Sequence, residues 1–81
     1  MTYSGMFDEI EKDEKMRKIL INGIKKHAEG HIAKHKANVE VILQKGVGVS
    51  EHPNMVETIE NELCIIAKYD DQLNIIKKYF K

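Results

Sequence analysis

Gly46-Val47-Gly48-Val49-Ser50-Glu51-His52-Pro53 is the stretch that decides the fold. It holds the chain's one proline and two of its five glycines, and such clustering breaks regular structure. Gly46 suits the C-terminal stop of a preceding helix. Pro53 suits the first turn of a following one, where its missing N–H costs nothing. Ser50 or His52 is the expected cap, Ser50 being the better hydrogen-bond acceptor.

On either side of this break the apolar residues recur at helical spacing. Downstream, Met55, Ile59, Leu63, Ile66, Leu73 and Phe80 project onto one face, widened by Ile65, Tyr69 and Ile76. Cys64 points nearly the opposite way. Upstream, the main stripe reads Leu20, Ile24, Ala28, His31, His35, Val39 and Ile42, flanked by Ile21, Ile32 and Leu43. A second line of mostly small residues runs through Met16, Gly23, Gly30, Ala37 and Val41. Glycine inside a helix costs about 1 kcal/mol against alanine, so two on one line suggest close approach of another helix, the alternative being a flexible kink at Asn22-Gly23. The expectation is an all-α chain: a long antiparallel helical hairpin, about 7–45 and 53–80, forming a single domain over 1–81. Residues 1–15 are expected to form an N-terminal arm that overhangs, folds back as a separate short helix, or contacts another chain.

The chain's 81 residues bury only a modest core, and natural chains of this size add disulfides, a metal or a partner. A single cysteine excludes an internal disulfide and fits a reducing compartment. Met1–Phe7 shows no basic, apolar leader pattern, and no stretch approaches a membrane span; the expected location is the cytoplasm. Pairing with a second copy into a four-helix bundle is therefore expected, with Gly23, Gly30, Ala37, Val41, Ile65, Tyr69 and Ile76 at the interface.

Thirteen basic and thirteen acidic residues balance overall but are zoned. Asp8, Glu9, Glu11, Asp13 and Glu14 precede a basic run from Lys15 to Lys36. An antiparallel hairpin returns Lys77, Lys78 and Lys81 beside Lys15, Arg17 and Lys18. That open end is a candidate nucleic-acid contact, although the acidic segment would counter it.

His27, His31 and His35 follow one another at helical i, i+4 steps, the spacing at which two imidazoles converge on one ion. No glutamate follows His27 directly, so the zinc-protease pattern is absent. Hairpin closure between residues 45 and 54 places Asp70 at the level of these histidines. Three readings follow: a His–Asp hydrogen bond that fixes helix register, a divalent-metal site on His27, His31, His35 and Asp70, or solvent-exposed groups with no role. No cofactor is otherwise expected. Gly46-Val47-Gly48 lacks the third glycine of a phosphate loop, and Cys64 lies on a different face from the histidines. No enzymatic activity is expected.

The run from Gly46 to Pro53, followed by Val56-Glu57-Thr58-Ile59-Glu60-Asn61-Glu62-Leu63 and closed by Lys77-Lys78-Tyr79-Phe80, resembles small proteins of marine T-even-like cyanophages. His31-Ile32-Ala33-Lys34-His35-Lys36-Ala37-Asn38-Val39-Glu40-Val41 is similar to the same group. The likeness covers about residues 16–80. That group has no assigned activity, so no site residue carries over. The resemblance implies a viral accessory protein in an infected bacterial host and allows a minor virion component. The leading expectation is a non-enzymatic protein that binds a host or phage protein through a helical-bundle surface.

Overall fold

The computed structural model describes residues 3–45 and 54–81, with side chains described from Lys12 onward. The first helix, α1, spans Tyr3–Lys45, and the second, α2, spans Met55–Tyr79. Neither contains proline, and lysine, isoleucine and glutamate are the commonest residues in both; lysine and glutamate lose little side-chain freedom in a helix. The all-α hairpin expected from the sequence is what the chain forms: the two helices lie against each other along a rod of 75 × 17 × 13 Å.

Helix boundaries differ slightly from expectation. The second helix starts at Met55, two residues after Pro53, with Asn54 at its N-cap (φ −90°, ψ 4°) and no side-chain cap. The Asn54 carbonyl accepts from both the Thr58 backbone N–H (2.9 Å) and the Thr58 hydroxyl (2.8 Å). The expected caps Ser50 and His52, the stop at Gly46 and the turn at Pro53 lie outside the described residues. At the other end the Phe80 N–H donates to the Ile76 carbonyl (2.8 Å) and closes the last turn.

The seam reads as a heptad repeat on both helices. On α1, Ile21, Lys25, Ala28, Ile32, His35, Val39 and Ile42 follow steps of four and three, and all are half-buried or buried. On α2, Met55, Ile59, Glu62, Ile66, Tyr69, Leu73 and Ile76 do the same. This is the 3.5-residue spacing of a coiled coil. It corrects the expected stripes: Leu20, Ile24, Leu43 and Leu63, placed on the core face by a straight-helix projection, are exposed. Glu62 occupies the seam position beside Leu63. Lys25 reaches out along the seam edge, its stem covering apolar surface.

Burial within the hairpin is thin. Ala28 (0% exposed) and Ile76 (8%) are the buried apolar residues among those described, and no large side chain is fully buried. Ala28 is the most buried of the described apolar side chains. Ala28→Leu is expected to lower stability by about 1–3 kcal/mol through overpacking, although leucine and alanine are both good helix formers. Urea denaturation at fixed protein concentration checks this.

Candidate functional site

Polar and aromatic groups concentrate halfway along the seam. His27, His31 and His35 stand on successive turns of α1, and their rings form a ladder. The His27 and His31 ring centroids are 4.4 Å apart, and His31 stacks on His35 at 5.9 Å with 10° between the ring planes. Tyr69 of α2 completes the ladder. It stacks on His31 at 4.5 Å and meets His27 edge-on at 5.7 Å. Lys68 places its ammonium 5.3 Å from the Tyr69 ring centre, a cation–π contact.

His35 turns into the seam and hydrogen-bonds the Glu62 carboxylate; their side chains are 12% and 17% exposed. Asn38 Nδ2 donates to the same carboxylate, at 3.4 Å to Oε1 and 3.3 Å to Oε2. The hydrogen bond with His35, helped by the one from Asn38, holds the Glu62 carboxyl below its ordinary value, against burial, which pushes it up. His31 is also shifted down. Burial of its ring is the main cause, and the positive charges of His27, Lys34, His35 and Lys68 add to it. Its Nδ1 is buried and has no hydrogen-bond partner.

Both shifts make the fold less stable in acid. A histidine with a lowered folded value contributes stability that is complete above its unfolded value, near 6.5, and lost as pH falls through the folded one. The Glu62 contribution is complete above an unfolded value near 4.5 and lost below it in the same sense. Stability is therefore expected to fall in two acid steps, and Glu62→Gln should remove the lower one. Thermal melts across the acid range at fixed protein concentration check this.

The His–Asp layer expected from the sequence does not form; the polar layer in the seam is made by His35, Glu62 and Asn38. Asp70 is exposed and its side chain accepts a hydrogen bond from Asn74 Nδ2 (3.5 Å). Register is not the cause of the difference. The cross-helix pairs His35–Glu62, His31–Tyr69 and Arg17–Phe80 all fall within a residue or two of the expected level. What differs is the face: Tyr69 takes the inward position at that level, and Asp70, about 100° further round, points away. The set His27, His31, His35 and Asp70 is thus not brought together within one chain, and no group of three metal-ligating side chains gathers among the described residues.

The proposed interface residues divide between two places. Ile76 is buried in the intrachain seam, Tyr69 is covered by the histidines, and Ile65 is half-buried at the seam's edge. Gly23, Gly30, Ala37 and Val41 stay on the exposed outer side. A Cβ added at Gly23 or Gly30 would meet nothing within 4 Å. At the open end, Arg17 donates to the Phe80 carbonyl (3.1 Å). Arg17, Lys18, Lys25 and Lys81 line one hollow of about 250 Å³ with Ile21, Asn22 and Phe80. Lys15, Lys77 and Lys78 are exposed outside its lining. Cys64 is exposed, as expected.

Sequence reasoning missed Glu62 and Tyr69 as partners of the histidines, and Asn38 as the second partner of Glu62. The signal was present: Glu62 is the one acid at a seam heptad position of α2. It emerges only when the repeat is read at 3.5 residues.

Fold and site together define a short antiparallel coiled-coil hairpin with a polar His–Glu–Asn layer in its seam. No helix among the described residues is long and apolar enough to cross a membrane. Comparison with known protein families, with curated proteins and with solved structures finds no match.

Proposed function

We propose that this chain is a non-enzymatic interaction protein that pairs with a second copy of itself into a four-helix bundle, which in turn binds a protein partner. The observation that carries this is the unfilled apolar flank. Ile24 and Ile75, each 49% exposed, line an open groove of about 320 Å³ with Ile21, Gln72, Ile76 and Phe80. Leu20 (59% exposed) and Tyr79 (64%) extend the same flank by helical position. A 9.4 kDa chain with no large side chain fully buried among the described residues is marginal alone, and a second hairpin supplies the missing layer. The sequence resemblance would make the further partner a host or phage protein. Light scattering at micromolar concentration tests the reading: a dimer-class mass is expected, and a fully helical monomer would refute it.

A second reading draws on the basic hollow at the open end, where Arg17, Lys18, Lys25 and Lys81 are gathered from both ends of the chain. It is a nucleic-acid contact. Retention on heparin that weakens steeply with salt would favour it, and loss of that retention in Arg17→Gln with Lys18→Gln would locate it.

A further inference from the structure

Around Gly30 the outer side of α1 carries a hollow of about 290 Å³, lined by Lys26, His27, Gly30, His31 and Lys34. No acid lines it. Gly30 leaves its floor open, since a Cβ there would meet nothing within 4 Å. The His27 and His31 rings form one wall, and Lys26 and Lys34 stand a turn above and below. From α2, Lys68 lies 5.3 Å from the Tyr69 ring centre, and Tyr69 stacks on His31. Two carboxylates stand in the neighbourhood. Glu29 is 3.7 Å from Lys26 on the exposed surface, and Glu62 is held by His35 and Asn38.

We propose that Lys26, His27, His31 and Lys34 form a binding site for a phosphoryl group, which sits over Gly30 and accepts hydrogen bonds from the two lysines and the paired imidazoles. The donor set matches this ligand class: two lysines and two histidines line one hollow, and charged donors make the strongest bonds to phosphate oxygens. The surroundings disfavour the obvious competitor. The charged neighbours acting on His31 are His27, Lys34, His35 and Lys68, all of them cationic when protonated. A divalent metal at the His27–His31 pair would meet the same repulsion, whereas an anion relieves it. Binding therefore draws protons onto the histidines, and affinity rises as pH falls through the histidine range. The histidine wall borders the seam, since both rings lie against Tyr69, and His31 follows Ile24 two turns along the same flank of α1, so self-association is followed as a separate readout.

The test is an NMR titration of the histidine ring resonances with inorganic pyrophosphate, at about pH 6 and about pH 7.5, with light scattering on the same samples to follow self-association independently. Saturable shifts of His27 and His31, tighter at the lower pH, are expected. Lys26→Gln and Lys34→Gln, both at exposed positions, should each weaken binding about tenfold. Gly30→Leu should abolish it by filling the hollow while leaving helicity intact. A parallel arm uses a short thymidine oligonucleotide. Tighter binding of that strand through the same residues assigns the phosphoryl group to a nucleic-acid backbone, and tighter binding of pyrophosphate assigns it to a free phosphate compound; either result upholds the site. Absence of saturation with both ligands, or binding untouched by the lysine variants, overturns it. Zinc shifting the two histidines where pyrophosphate does not would overturn it as well.

Discussion

Aspartate at both Ile24 and Ile75 is expected to weaken self-association at least about a thousandfold, because burying each isoleucine contributes about 1.5–3 kcal/mol and a two-fold pairing counts each position twice. Both residues are half exposed in the single hairpin, so neither substitution disturbs the intrachain seam directly. The loss should appear in two measurements together. Sedimentation should report a monomer, and far-ultraviolet circular dichroism should show reduced helicity, since the thin intrachain core is then left to hold the fold alone. If the doubly substituted chain sediments like its parent, the groove is not the interface. If it becomes a fully helical monomer, the hairpin does not need a second layer.

His35→Ala is the second large effect. It removes a side chain only 12% exposed and strips the Glu62 carboxylate of its main partner. The expected cost is about 2–4 kcal/mol, combining a truncated seam residue with a half-buried carboxylate left to its long bonds from Asn38 alone. Replacing His35 and Glu62 together by leucine should reverse the sign. A buried polar pair is often no better for stability than well-packed apolar residues, while it does select one register over its neighbours. The double variant is therefore expected to unfold at higher urea than His35→Ala, at or above the native protein, and to populate shifted registers. Urea denaturation at fixed chain concentration and cross-linking of cysteines introduced across the seam separate the two effects. A double variant as unstable as His35→Ala would show that shape at this level, and not hydrogen bonding, is what the pair supplies.

The hairpin was legible because one short stretch, Gly46 to Pro53, interrupts two long helical patterns, and its position also fixed which residues stand level with one another. Which residues face inward was less legible. Projection at 3.6 residues per turn drifts about 20° per heptad from a supercoiled seam. Over the length of α2 that drift was enough to favour Leu63 over Glu62 and to bring Asp70 inward in place of Tyr69. Hydrophobicity reinforced the error, since a leucine looks like a better core residue than a glutamate unless its hydrogen-bond partners are known. The histidine ladder was visible from its spacing. The hollow over Gly30 was not, because the sequence reads a glycine on that line as room for another helix and the same absence of a side chain equally leaves room for a ligand.

The register has a consequence for the order in which the chain folds. Contacts along the seam close loops of very different length: Asn38 and Glu62 are 24 residues apart in sequence, His35 and Glu62 are 27 apart, and Arg17 and Phe80 are 63 apart. Chain entropy favours the shorter closures first. Pairing should nucleate between Ile42 and Ile59 and zip toward the open end, reaching the His35–Glu62 layer before most of the apolar seam has formed. A chain that starts out of register would then be halted at that layer by a histidine and a carboxylate facing the wrong residues, while little structure has to be undone. In kinetic terms, truncating Ile42 or Ile59 to alanine should mainly slow folding, and truncating Leu73 or Ile76 should mainly speed unfolding.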